Sequence, residues 1–210
     1  MIYKCANCGL AGCYPKDFTR LAEICPTKDE EVQGSLAEKY EEPENHMLAK
    51  NAALVEAEGY GQQTRILEII NFANKCGYKK LGLAFCLGLR YEAMQTAKIL
   101  EAHGFEVLTV NCKNGGFYKA GVGIAKEQTV FNDAEEVMCN PIGQAEIFNK
   151  EKTDFNIILG LCVGHDSLFF KYSKAPVTVF AAKDRVTGHN PLAAIYLSKI
   201  YYKDKLFPKK

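Results

Sequence analysis

Eight of the nine cysteines fall into two sets whose spacing points to two kinds of chemistry. The first set is local. Cys5, Cys8, Cys13 and Cys25 follow the pattern C-x2-C-x4-C-x11-C, in a stretch that also carries Gly9, Gly12, Pro15 and Pro26 and has neither helical nor strand periodicity. Such a segment buries too little apolar area to order itself, and four thiolates around one tetrahedral Zn²⁺ would supply the missing folding free energy. An iron–sulfur cluster takes four thiolates as well, and Cys25 followed by Pro26 matches the close of one ferredoxin run, although the spacing before it differs. Zinc is the expected metal and iron–sulfur the alternative.

The second set is dispersed. Cys86 ends LGLAFC, Cys112 ends FEVLTVNC and Cys162 ends FNIILGLC, three apolar runs of the kind that form strands buried on both faces of a parallel sheet. Cys139 precedes Asn140 and Pro141, which read as the cap and first residue of a helix. Open α/β sheets hold their ligands at the carboxyl ends of the strands. Four thiols delivered there from four segments suit an iron–sulfur cluster, with Cys86, Cys112, Cys139 and Cys162 as its ligands. A single cysteine reads more simply as a small buried hydrophobe, which is the reading for Cys76 on the apolar stripe of a helix.

The same loops carry polar groups: Arg90 after Cys86, Lys113 and Asn114 after Cys112, Gln144 one turn beyond Cys139, and His165 with Asp166 after Cys162. Arg185 and His189 follow the last strand. An arginine offers a fork of donors to an anion, and histidine is the side chain suited to proton exchange near neutral pH. His165, Arg185 and His189 are therefore the catalytic candidates. For His165 a hydrogen bond beside the cluster or a plain loop role stands as the alternative. Asp166, Asn190 and Pro191 read as helix caps and starts, His46 as a helix-start residue without a chemical partner, and His103 as a last-turn cation that complements the helix dipole.

Strands and helices alternate to position these groups. Strands are expected over 80–86, 105–112, 155–162 and 176–182. Helices are expected over 29–40, 46–58, 62–76, 92–103, 140–150, 166–174 and 190–201. Alternation of this kind implies right-handed crossovers and a mainly parallel sheet, hence a Rossmann-like three-layer α/β domain of about four strands. If the strand order is 2-1-3-4, Cys86 and Cys162 flank the point where the order reverses. The expected division is a cysteine-rich metal-binding knuckle at 1–27, then a helical lead-in and the α/β domain at 28–210.

Composition excludes several classes. With 26 basic and 25 acidic residues, a net charge of +1 and no basic stripe apart from the KDKLFPKK tail, a nucleic-acid partner is not expected. The opening residues lack the apolar core of a secretory leader, and no apolar stretch nears the ~20 residues of a membrane span. A soluble cytoplasmic protein is expected, with no membrane partner. An odd count of nine cysteines then favours metal or cluster ligation over a disulfide framework. Neither G-x-G-x-x-G nor G-x-x-x-x-G-K-[ST] occurs, so a dinucleotide or P-loop cradle is absent from the sequence.

Long blocks of the chain, CNPIGQA (139–145), LCVGHDSL (161–168), KYSKAPV (171–177) and KDRVTGHNP (183–191), together with the N-terminal cysteines, resemble an uncharacterised metal-binding protein family of archaea and anaerobic bacteria. The resemblance covers nearly the whole chain. It implies metal and assigns no reaction. From the residues, the leading expectation is an iron–sulfur protein acting in redox or sulfur-transfer (desulfidase-like) chemistry on a small anionic substrate. The alternative is a metal or cluster carrier or sensor without catalysis. A third reading confines metal to the knuckle and leaves the α/β domain to recognise a nucleotide or a protein.

Overall fold

The computed structural model describes residues 2–14 and 16–208; Pro15 of the cysteine-rich segment lies outside them. Contacts divide the chain into two units, Met1–Tyr60 and Gly61–Lys210.

In the first unit, the described residues up to Lys28 form only turns, three of them short 3-10 helices. Helices α1 (Glu30–Gln33), α2 (Leu36–Glu41) and α3 (Pro43–Gly59) follow. The run 29–40, expected as one helix, is broken at Gly34 and Ser35. Asp29 caps α1, its carboxylate accepting the Val32 N–H at 3.2 Å. Pro43 starts α3, three residues before the expected 46: at the first helical position its missing N–H is not needed and its fixed φ is already helical.

The second unit runs α4 (Arg65–Lys75), β1 (Lys80–Phe85), α5 (Arg90–Ala102), β2 (Glu106–Asn111), α6 (Pro141–Glu151), β3 (Phe155–Leu159), α7 (His165–Tyr172), β4 (Val177–Ala181), α8 (Leu192–Tyr196) and α9 (Lys203–Leu206). The four strands form an all-parallel sheet in the order β2-β1-β3-β4. The expected α/β class is therefore present, and the strand order meets the condition under which Cys86 and Cys162 flank its reversal.

Period-two alternation sorts the strand residues between two cores. Leu81, Leu83 and Phe85 of β1 and Phe155, Ile157 and Leu159 of β3 pack with Ile69, Ile70 and Ala73 of α4 and with Ala93, Ala97 and Leu100 of α5. On the opposite face, Ala84, Ile158, Val110 and Val179 pack with Ala145 and Phe148 of α6 and Phe169 of α7. Cys86 and Cys112 belong to this second core, because each continues its strand's alternation one residue past the end.

Asp154 fixes the start of β1, its carboxylate accepting the N–H groups of Lys79 and Lys80, each at 2.8 Å. The final helix is shorter than expected. Asn190 and Pro191 precede α8 rather than cap and open a long helix, and turns separate it from α9. Cys76 is half-buried at the C-cap of α4, not on its buried face. No helix of the described residues is long and apolar enough to cross a membrane.

Candidate thiol site

Two of the four inner thiols are set by the sheet. Cys86 donates its N–H to the Leu159 carbonyl at 3.1 Å, extending the β1–β3 pairing beyond the strands. The Cys112 sulfur accepts the Leu87 N–H at 3.4 Å, which ties the end of β2 to the turn after β1. Both thiols are buried.

Cys139 is brought back to them by the excursion 113–138. That segment is ordered by its own contacts: an antiparallel bridge between Tyr118 and Val137, an ion pair between Lys119 and Glu136, and a hydrogen bond from the Lys113 ammonium to the Val137 carbonyl. The Lys119 ammonium holds the Glu136 carboxyl below its ordinary value. At the base of the excursion, Asn140 donates its N–H to the Cys112 carbonyl at 2.7 Å. The Asn114 amide donates to the carbonyls of Asn111 (2.9 Å) and Asn140 (3.0 Å), while Asn140 caps α6 by accepting the Gly143 N–H at 2.9 Å. Cys139 is half-buried beside Cys112.

The three sulfurs form a chain. Cys86 interacts with Cys112, and Cys112 with Cys139. The neighbouring Cys112 thiol and burial push the Cys86 thiol up to about 12. Cys112 is raised by Cys139 and by burial. Cys139, next to Cys112 and facing the Lys113 charge, falls to about 7. Negative charge therefore collects at the exposed end of the chain.

Cys162 stands two residues beyond a conformational break. Gly160 has φ +65°, which ends the strand alternation of β3 and turns the chain toward α7. Arg185, exposed on the loop after β4, donates from Nη2 to the Cys162 sulfur at 3.3 Å. That bond raises the Arg185 guanidinium above its ordinary value, and the Cys162 charge adds to it. Cys162, Cys86 and Cys139 all act electrostatically on Arg185 or on one another. The four inner thiols expected to converge thus lie in one electrostatic neighbourhood at the carboxyl edge of the sheet.

Each outer sulfur also has a cation. Lys183 hydrogen-bonds Cys86, its stem crossing above Gly160, where an added Cβ would lie 3.7 Å from the lysine Cε. Lys113 faces Cys139 and Arg185 holds Cys162. Lys183 falls just past the expected strand 176–182 and carries no motif of its own; its one signal in the sequence is that it precedes Arg185 by two positions.

The other candidates are engaged differently. Gln144 is fully buried and donates its amide to the carbonyls of Val110 (2.6 Å) and Phe85 (3.3 Å), bracing the ends of β1 and β2; its Oε1 has no partner. His189, at φ +65°, accepts the Asp184 N–H on Nδ1 at 3.1 Å and donates its own N–H to the Asp184 carbonyl at 2.8 Å, closing the loop that carries Arg185. His165 opens α7 and donates its N–H to the Cys162 carbonyl at 2.9 Å; its Nδ1 is buried without a partner. Asp166, expected to cap the helix, is instead the second residue of α7, whose N-cap is Gly164; its carboxylate accepts the N–H groups of Gly164 (3.0 Å) and Ser167 (2.8 Å). Arg90 begins α5 and lines a cavity of about 390 Å³ with Met94, Lys98 and Thr109 instead of the thiols.

In the first unit, Cys5 and Cys8 share a turn in which Cys8 donates its N–H to the Cys5 carbonyl at 3.0 Å. Cys5, Cys8 and Cys13 are exposed and Cys25 half-buried. Hydrogen bonds from the Thr27 side chain and backbone lower the Cys25 thiol. Among the described residues, no three His, Cys, Asp or Glu side chains are disposed to hold a metal ion as they stand.

Fold and site together define a Rossmann-like α/β protein with a thiol-lined, cation-flanked carboxyl edge. The chain belongs to the family described as protein of unknown function (DUF1847), which it matches over residues 25–180. It is 45% identical over 208 residues to an uncharacterized protein of Methanocaldococcus jannaschii, covering 99% of this chain and 100% of that relative. No solved structure matches. The matched span holds all four inner cysteines and begins at Cys25, so Cys5, Cys8, Cys13, Arg185 and His189 lie outside it.

Proposed function

We propose that the protein is a metal-binding, iron–sulfur protein whose inner cysteines, Cys86, Cys112, Cys139 and Cys162, hold a cluster used in redox or sulfur-transfer chemistry on a small anionic substrate. The observation that carries this reading is the meeting of thiols from four separate segments at the edge where the strand order reverses. The donor set fits the group: soft thiolates are the ligands clusters take, and Lys183, Lys113 and Arg185 offset the charge that four of them would carry. Ligation would displace the protons of Cys86, Cys112 and Cys139, so the sulfurs need adjustment but no new neighbours. A bound cluster would supply electron transfer, or an open iron that polarises a substrate sulfur.

This chain's own residues would then handle the anion. The Arg185 guanidinium, exposed at its loop tip, both faces Cys162 and is free to bind a carboxylate or thiolate from solvent. His165, with Nδ1 unpartnered, is the proton carrier the rim offers. The engagement of Gln144 and His189 within the fold favours the second reading, a carrier or sensor, because it leaves fewer groups for a substrate. For the first unit we propose that Cys5, Cys8, Cys13 and Cys25 bind Zn²⁺, with iron–sulfur as the alternative, and that the protein works in the cytoplasm. The test is anaerobic purification followed by metal and acid-labile sulfide analysis with visible spectroscopy. Labile sulfide and thiolate-to-iron absorbance, both lost on replacing two inner cysteines, are expected; neither signal in the parent chain after reconstitution with iron and sulfide would end the cluster reading.

A further inference from the structure

We propose that Cys112 and Cys139 form a reversible intramolecular disulfide, with Cys139 as the attacking thiol toward a low-molecular-weight disulfide and Cys112 as the resolving thiol. The inference goes beyond the cluster reading and does not need a metal. Its basis is geometric. The Asn140 N–H bonds the Cys112 carbonyl at 2.7 Å, so the two backbones approach to within one hydrogen bond, the closeness that a disulfide's Cα spacing of roughly 4.4–6.8 Å demands. Cys139 also packs against the core cluster that contains Cys112.

Access decides the order of events. Cys139 is half-buried and reachable, whereas Cys112 is only 2% exposed. Cys86, the other neighbour of Cys112, is buried too, so a Cys86–Cys112 pair has no sulfur open to a reagent. Cys162 is held by Arg185.

The chemistry balances with glutathione disulfide as oxidant. Cys139 loses its proton to solvent and its sulfur attacks one reagent sulfur; that S–S bond breaks, and one glutathione leaves as thiolate and takes up a proton. Cys112 then attacks the Cys139 sulfur of the mixed disulfide, giving up its proton and expelling the second glutathione. Two protein thiols lose two electrons and two protons, and one disulfide is reduced to two thiols. The bond would clasp the base of the excursion 113–138. On the cluster reading it would also withdraw two of four ligands, making cluster binding and oxidation mutually exclusive; only this consequence rests on that reading.

The experiment uses the full chain, stripped of metal by chelation under reductant, exchanged into anaerobic buffer and exposed to glutathione disulfide. Free thiols are blocked, trypsin cuts after Lys113 to separate the two cysteines, and peptides are mapped by mass. A Cys112–Cys139 cross-linked pair, restored to two free thiols by dithiothreitol, is expected. In Cys112→Ser, Cys139 should accumulate as the unresolved glutathione adduct, while Cys86→Ser should still close the disulfide. A stable adduct on Cys139 of the parent chain, a Cys86–Cys112 cross-link, or both thiols fully blocked would each overturn the proposal. These outcomes need no variant and no cluster, so they are separate from the sulfide analysis that tests the cluster reading.

Discussion

The sharpest structural test of the thiol edge is Gly160→Ala. Gly160 adopts φ +65°, and a Cβ built there would stand 2.2 Å from Leu89 Cδ1. Leu89 is 5% exposed and packed in the α4/α5 core, so its methyl cannot swing out to solvent. An L-residue in the left-handed region costs about 1–2 kcal/mol, partly offset by roughly 0.4–1 kcal/mol from a stiffer unfolded chain. Forcing a methyl into a filled core adds about 1–3 kcal/mol. Gly164→Ala separates the two effects, because Gly164 has φ +84° with nothing within 4 Å of the added Cβ. At about 2–4 °C per kcal/mol for a unit of this size, Gly164→Ala should lower Tm by a few degrees and Gly160→Ala by roughly 5–15 °C. The assay is thermal unfolding of the metal-free, reduced chain by circular dichroism. Adding Leu89→Ala to Gly160→Ala should cost less than the sum of the single changes, since the smaller side chain removes the clash. Equal Tm losses for the two glycine variants, or strict additivity with Leu89→Ala, would refute the packing argument.

Four further outcomes follow. Cys139 should be alkylated by iodoacetamide with a rate that rises through pH about 7, because Cys112 and then Lys113 stabilise its thiolate, while Cys86, pushed up to about 12, stays unlabelled at that pH; a Cys139 midpoint near the ordinary 9.0 would contradict this grouping of the thiols. The sign for stability follows. Relative to the ordinary thiol value of 9.0, the lowered Cys139 value makes its contribution grow as pH rises from about 7 to 9, and the raised Cys86 value makes its own contribution decline above 9, which urea unfolding of the metal-free chain across that range would detect. Arg185→Ala should leave Tm and cluster content unchanged but abolish binding of small thiols, thiolated bases or carboxylates by calorimetry; loss of the fold would assign Arg185 a structural role. Cys8→Ser should remove zinc from the first unit, and unchanged zinc per chain would end that assignment.

Much of the fold is legible in the sequence because buried parallel strands read as unbroken apolar runs, and 155–159 is one: every residue of β3 is buried. The strand order stood in the sequence only as a condition, but the grouping of Cys86 and Cys112 needs only the alternation of side chains past the ends of two neighbouring strands. Three features could not be read. Broken helices at 29–40 and 190–201 reflect weak burial, since none of α1, α2, α8 and α9 has a buried residue, and charged or turn-forming sequence alone does not say where such a helix stops. Gln144 and His189 carry side chains suited to substrate, but their bonds are to backbone groups of Phe85, Val110 and Asp184, partners far off in sequence or hidden in a loop conformation. Lys183 meets Cys86 across two strand ends far apart in sequence, a relation that only the fold creates.

The cations explain why four thiols can share one edge. In the reduced, metal-free chain the protons of Cys86 and Cys112 are retained, and a charge settles on Cys139 beside Lys113. A site meant for one thiolate would have no use for Lys183 at Cys86 or Arg185 at Cys162 as well. Three cations around four sulfurs match a state in which more of those protons have left. Two events remove them. Metal ligation takes all that are present and spreads the charge over the metal, and closure of the Cys112–Cys139 bond takes two and neutralises the pair outright. The first keeps the cations paired with sulfur; the second leaves Lys113 without its thiolate and the mouth of the site more positive. Oxidation should therefore strengthen simple anion binding at the rim while preventing cluster uptake, so the two states of one edge would select different occupants.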